Sequence, residues 1–332
     1  MPGFSPDQYR ALQEAAGFLP RIDRGRLRLR GEDRKAYLQG LLSNDVASLE
    51  PGPSTPMDGA PSLGTSSWCY ATLLTPQGRM ISDMRVFEVG PSTPVTGSAS
   101  LGTGTVLLDL EAAVTETVRE HLEKYVITED VTVEDVSASL AQVGLYGPMA
   151  GDVLAGVRER GIELRHVLPG GDIGVDGVDL IIDSGAQAAL FDALEAAGAV
   201  RISLETADVT RIEAGIPRFL ADMDTSTIPL EAGIEDRAIS LTKGCYVGQE
   251  VIIRVLHRGG GRVAKKLVRL TVDAPEAGPG DLVHAGDREV GRITSAVDSP
   301  KFGKRVALAW VHRDFAEPGT ALTIKGAAAR SV

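Results

Sequence analysis

The chain has 332 residues, a net charge of −11 and two cysteines, Cys69 and Cys245. The acidic balance argues against direct nucleic-acid binding. No apolar run reaches bilayer-spanning length, which argues against a membrane role, and two cysteines cannot form a disulfide framework, which fits a cytoplasmic protein.

Residues 1–20 are polar with a helical pattern and lack the basic start and apolar stretch of a signal peptide. Residues 26–30, RLRLR, alternate as a strand does, and DRKAYLQGLLSNDV reads as a helix capped by Asp33. The stretch at 52–65, GPSTPMDGAPSLGT, recurs at 90–103 as GPSTPVTGSASLGT. Both copies lack a periodic apolar face and read as low-complexity surface inserts, 51–67 and 90–104. Between them, 69–75 and 79–89 are rich in β formers around Pro76-Gln77-Gly78, the pattern of a hairpin. A helix is expected at 111–126, strands at 131–136 and 141–145, and a helix opening after Gly147-Pro148. A strand at 178–182 and a helix at 186–197 follow. After Arg262 only short strands separated by Gly, Pro and Asp are evident, the pattern of a small all-β barrel or sandwich. The class is therefore α+β through about residue 260 and all-β beyond.

HExxH, P-loop, CxxC and GxSxG patterns are absent, and the histidines show no metal-ligand spacing. GGGRVA at 259–264 fits a loose dinucleotide pattern, but a strand follows it, so a phosphate would have no helix N-terminus to sit on.

The segment LTKGCYVGQEVIIR, 241–254, places Cys245 two residues after Lys243 and between Gly244 and Gly248. A nearby cation favours the reactive thiolate, and glycines permit close approach of a ligand. The same residue type also serves as buried packing. Cys69, beside Trp68 and Tyr70, reads as core. Glu213, in TRIEAGIPRF, suits paired hydrogen bonds to an amidine-like edge such as a pterin, or a surface pair with Arg211 or Arg218. Asp83, on the hairpin, suits a general acid/base or a solvated carboxylate. Residues 251–272 contain no acid but hold Arg254, Arg258, Arg262, Lys265, Lys266 and Arg269. That suits a small anionic ligand, a docking site or a solvated strand and loop face.

KGCYVGQE at 243–250 resembles the signature of the YgfZ family, folate-binding proteins linked to iron–sulfur cluster maintenance. YLQGLLSNDV, RIEAGIP and IPLEAGI are similar to the same family and, more distantly, to the T-protein (aminomethyltransferase) of the glycine cleavage system. The resemblance implies a three-domain cloverleaf, with two interleaved α+β subdomains in 1–260 and a β-barrel in 261–332 around a channel for tetrahydrofolate. It implies Glu213 on the pterin, with Tyr70, Asn44, Arg211, Tyr246, Gln249 and Arg254 also on the folate, and Cys245, Lys243 and Asp83 carrying any chemistry. Arg254 and its basic neighbours would then meet the glutamyl carboxylates of a folate. The implied function is support of iron–sulfur enzymes, with Cys245 as the working thiol and iron–sulfur client or assembly proteins as partners. A stable cluster on one chain is not expected, because a cluster takes about four cysteines. The alternative is a folate-dependent aminomethyl or methyl transferase. A third reading is a folate scaffold in which Cys245 only packs. Where the T-protein has two adjacent aspartates this chain has Ser82-Asp83, which weighs against aminomethyl transfer.

Overall fold

The computed structural model describes residues 3–51, 67–89, 104–257 and 262–332. Both repeat copies, Arg258 and residues 259–261 of the glycine run lie outside the described residues.

The chain opens with α1 (Pro6–Glu14), β1 (Gly17–Pro20), β2 (Arg24–Arg30) and α2 (Arg34–Leu41). Ser5 caps α1 by accepting from the Gln8 N–H, and Pro6 sits at the start of the helix, where its missing N–H costs nothing. Asp33 does precede α2, but it makes no side-chain cap; its carboxylate accepts from the Asp130 N–H instead. The hairpin is β3 (Trp68–Leu74) and β4 (Met80–Val89), followed by β5 (Thr105–Glu111) and α3 (Thr115–Lys124). The helix expected from 111 thus begins later, because Glu111 ends a strand and a 3-10 turn, Ala112–Val114, intervenes. Next come β6 (Thr132–Asp135), β7 (Leu140–Tyr146), α4 (Ala150–Glu159), β8 (His166–Pro169), β9 (Gly177–Asp183), α5 (Gln187–Ala196) and β10 (Val200–Arg201). The remaining elements are α6 (Leu204–Ala214), α7 (Glu235–Ala238), α8 (Gln249–His257), β11 (Lys265–Val272), β12 (Leu282–Ala285), β13 (Arg288–Ser299), β14 (Lys304–His312), β15 (Ala321–Ile324) and β16 (Ala327–Ser331). The basic stretch read as strand and loop therefore starts as a helix, α8, whose amphipathic spacing buries Ile252.

These strands build two five-stranded sheets, ordered β10-β1-β7-β9-β8 and β3-β4-β5-β2-β6, and a closed barrel, β11-β14-β13-β12-β15-β16. The sheets are interleaved: β1 joins the first and β2 the second, then β3 to β6 return to the second and β7 to β10 to the first. Among the described residues no helix is long and apolar enough to cross a membrane.

Cross-strand register explains what lies between the sheets. Residues directly opposite share a face. In the second sheet Tyr70 stands opposite Arg85, Arg85 opposite Asp109, and Asp109 opposite Arg26. Asp83, Glu111 and Arg24 fall on this same face by the period of two. The opposite face carries Leu27, Leu29, Ala71, Met84, Val86 and Leu108, which form an apolar core with α2 and α3. The first sheet likewise sends Val143, Leu145, Leu180 and Ile182 into a core with α4 and α5. Its other face presents Gln142, Tyr146 and Asp179, and these meet the polar row of the second sheet: Arg85 reaches Asp179 at 2.7 Å and Gln142 reaches Asp109 at 3.4 Å.

Candidate functional site

A cavity of about 780 Å3 opens along this polar contact, within the roughly 300–1,000 Å3 usual for small-molecule sites. Arg21, Asp23, Arg24, Arg85, Glu111 and Asp172 give it a charged floor, and Leu19, Trp68, Ile173, Leu204 and Phe219 give it apolar walls. Most floor charges are already neutralised. Arg21 holds Asp23 at 3.0 Å and Asp172 at 2.7 Å, while Arg218 holds Glu111 at 3.0 Å. Burial opposes the Arg21 charge, but Asp172 and Asp23 outweigh it and keep the guanidinium protonated.

Asp83 stands differently. It is 7 % exposed. The Tyr70 hydroxyl donates to its Oδ2 at 2.6 Å. Its Oδ1 is buried with no hydrogen-bond partner among the described residues. Burial, and then the Asp83 charge, push the Tyr70 phenol well above its ordinary range, so it remains a donor. Asn44 fixes the tyrosine from behind, its Nδ2 donating to the Tyr70 carbonyl at 2.8 Å and the Arg237 carbonyl at 2.9 Å. The Arg237 guanidinium lies 4.5 Å over the Tyr70 ring, is exposed, and makes no ion pair among the described residues. An unpartnered carboxylate oxygen costs free energy that a ligand N–H would recover. A free guanidinium at the cavity wall suits a carboxylate.

Residues 265–331 match the model of the glycine cleavage T-protein C-terminal barrel domain. Among proteins of known structure, the chain resembles throughout the glycine cleavage system aminomethyltransferase T of Bartonella henselae, with a TM-score of 0.80 over 100 % of this chain and 90 % of that one, at 19 % identity. The chain has the T-protein fold. In sequence it is 27 % identical to an aminomethyltransferase of Thermosynechococcus vestitus over 96 % of this chain and 82 % of the relative. It is 32 % identical to one of Saccharopolyspora erythraea over 66 % of this chain and 64 % of the relative.

Within the T-protein fold, Asp83, Tyr70, Asn44 and Arg211 line the cavity. Arg211 is spent on structure, holding Asp222 at 2.8 Å and donating to the Ile216 carbonyl and Ser295. Cys69, expected in a core, also lines the cavity, and burial pushes its thiol up to about 12, so it stays neutral.

Six other expected residues do not line the cavity. Glu213 lies on the opposite side of α6 from Leu204, Ala207 and Arg211 and is 3 % exposed, so it is neither a cavity wall nor a surface glutamate. Both its oxygens are engaged: Oε2 accepts from the Tyr9 hydroxyl at 2.8 Å, and Oε1 from Ser299 and the Lys301 N–H. It ties α1 to the barrel. Lys243 Nζ donates to the carbonyls of Gln39, Leu42 and Asn44 at 2.6, 2.6 and 3.0 Å, which uses its three donors. Burial brings its ammonium down to about 8, and it anchors the end of α2. Cys245 is exposed. Tyr246 is buried in an apolar cluster with Leu74, Met80 and Ile252, under the Lys243 ammonium at 5.0 Å. Gln249 opens α8 and Arg254 is exposed on it. Gly248 does permit a close approach, but of protein: its φ is +85°, and an added Cβ would meet the Thr75 carbonyl oxygen at 2.6 Å. The KGCYVGQE segment thus seats the hairpin turn behind Asp83.

Ser82 is fully buried and absent from the cavity wall. Strand alternation sends residue 82 to the face opposite Asp83. Its hydroxyl donates to the Asp83 carbonyl at 2.8 Å. The serine therefore takes no carboxylate away from the cavity. Sequence reading missed Arg21, Arg24, Arg218 and Arg237. The first two sit in or beside an alternating basic strand that looks solvated, and the last two in loop and short-helix segments without a periodic signal.

Proposed function

We propose that the cavity binds tetrahydrofolate or a one-carbon derivative, and that the chain is a folate-dependent aminomethyl or methyl transferase in which Asp83 accepts a hydrogen bond from the reacting nitrogen. The observation that carries this reading is the buried, unpartnered Asp83 Oδ1, held by Tyr70 in a T-protein fold whose relatives are named aminomethyltransferases. Trp68 and Tyr70 offer surface for a flat ring. Arg237 takes the role assigned from sequence to Arg254 and meets the glutamyl carboxylates. Tetrahydrofolate, when bound, supplies the nitrogen that carries the one-carbon unit; the chain orients it and holds the proton balance at Asp83. Ser82 does not stand against this, since its side lies away from the cavity.

Calorimetric titration with tetrahydrofolate tests it. Wild type is expected to bind, and Tyr70→Leu, which leaves Asp83 without its donor and removes a ring wall, to bind at least about tenfold more weakly. No heat of binding with wild type would remove the reading.

A second reading rests on Cys245, whose exposed thiol lies outside the cavity and is open to another protein. Here the folate protein supports iron–sulfur enzymes, and Cys245 meets a client or assembly protein at the surface. In a strain lacking this gene, Cys245→Ser would then fail to restore iron–sulfur enzyme activities while binding folate as wild type does. Full restoration by Cys245→Ser would leave only the first reading.

A further inference from the structure

The polar row of the second sheet does not end at the cavity. Its far member, Arg26, lines a second cavity of about 370 Å3, which shares Arg21 and Arg24 with the first. Arg26 is 5 % exposed. Its Nη1 donates to the Arg24 carbonyl at 3.2 Å and to Gln142 Oε1 at 3.4 Å, and its Nη2 to the Ser137 carbonyl at 2.9 Å. Its Nε–H is buried with no partner, and the guanidinium makes no ion pair among the described residues. The carboxylates around it are in use. Asp109 is held by Arg24 and Arg85, and Glu111 by Arg24 and Arg218. Asp135, exposed on the rim, accepts from the Ser137 N–H at 2.8 Å. Burial is the largest influence on Arg26 and disfavours its cation, with Asp109 and Asp135 only partly offsetting it. A buried cation without a counterion is costly, and a bound anion relieves that cost.

Two helices begin at this cavity. Thr115 opens α3 and Gln187 opens α5, each after a 3-10 turn, and both residues line it together with Ala112 and Ser184. The first turn of α5 carries no acid, and the acid of α3's first turn, Glu116, is paired with Arg119. The N–H groups of these four residues are already used, Thr115 on the Ala112 carbonyl, Gln187 on that of Ser184, Ala112 on that of Asp23 and Ser184 on that of Ser139, so the two helix starts offer partial positive charge, which favours an anion.

We propose that this second cavity binds the oxyanion of a small molecule, a carboxylate or a phosphate group, with Arg26 as its counter-charge and the partial positive charge at the starts of α3 and α5 in support. The site is independent of the folate reading, since it uses neither Asp83 nor Tyr70.

The test uses the full chain without added folate. Arginine Nε–H resonances are followed by NMR during titration with inorganic phosphate and, separately, with succinate; Arg26→Lys assigns the Arg26 signal by its disappearance. A saturable shift of that signal is expected with at least one anion. Phosphate alone assigns a phosphate group, succinate alone a carboxylate, and both a general oxyanion site. Gln187→Glu puts a carboxylate at the mouth while favouring the start of α5, so it is expected to fold and to weaken anion binding at least about tenfold. Thermal unfolding repeats the readout without assignments: the anion raises the wild-type midpoint more than that of Gln187→Glu at the same concentration. The proposal is overturned if neither anion gives a saturable shift in wild type, or if Gln187→Glu binds as tightly as wild type.

Discussion

Asp83→Asn is expected to lower the rate of one-carbon transfer by about 10²–10⁴-fold, the range for loss of a placed acid/base group. The substitution keeps the side-chain shape, and the Tyr70 hydroxyl can still donate to the amide oxygen in place of Oδ2. What disappears is the charge on Oδ1, the buried oxygen without a protein partner. Tetrahydrofolate affinity should therefore move by less than about tenfold, since one neutral hydrogen bond contributes only about 1 kcal/mol. The measurement is single-turnover formation of methylenetetrahydrofolate from an aminomethylated amine donor, with affinity followed separately by calorimetry. A large fall in rate with near-constant affinity places Asp83 in the chemical step. An equal fall in both would make it a binding residue, and an unchanged rate would sink the assignment. Ser82→Asp gives a contrast. That carboxylate would enter the buried side of β4 away from the cavity, so it should destabilise the fold without raising the rate.

The alternation of RLRLR made β2 legible, because period two with leucines on one side can only be a strand with one apolar face. It did not say what the arginine face meets. On most sheets such a face is solvated; here Arg24 and Arg26 are covered by the polar face of the other sheet, whose strands β7 and β9 come over a hundred residues later. Polar-on-polar burial has no local signature, since each residue looks like surface until its counter-charge arrives from elsewhere. The same reason hid Glu213. Its spacing on α6 showed a helix but not which side faced the cavity, and its partners Tyr9 and Ser299 come from opposite ends of the chain. Asp83 was legible from its place on the hairpin and Tyr70 came from the resemblance; their meeting is local, because once Pro76-Gln77-Gly78 fixes the turn, the two strands bring them to one face. Lys243 shows the limit of proximity in sequence. Two residues from Cys245, it turns toward three carbonyls at the end of α2 and leaves the thiol on the surface.

Arg85→Leu is expected to destabilise the protein by about 3–5 kcal/mol, the cost of removing one partner from a buried ion pair. Arg85 is the junction between the sheets: its Nε reaches Asp109 at 2.7 Å and its Nη2 reaches Asp179 at 2.7 Å. Without it Asp109 keeps Arg24, but Asp179, fully buried, keeps among the described residues only the Tyr146 hydroxyl at 3.1 Å. The pH dependence distinguishes lost charge pairing from lost packing. In wild type, burial would raise the Asp109 carboxyl, but Arg24 and Arg85 outweigh it and bring it down from 3.8 to about 2. Its stabilising contribution is therefore complete above 3.8 and is lost as pH falls through about 2. Asp179 is raised, by burial first, so it favours the folded state below 3.8 and loses that contribution as pH rises through its elevated value. Removing Arg85 raises both carboxyls, Asp109 from its depressed value and Asp179 from one already elevated. The variant's deficit in urea unfolding should thus be largest near pH 7 and shrink toward about pH 4, where protonation neutralises the stranded Asp179. Adding Asp179→Asn should recover part of the loss at pH 7. A deficit constant across that range, and untouched by Asp179→Asn, would mean that Arg85 acts by filling space and that the ionic contact between the sheets does not hold them together.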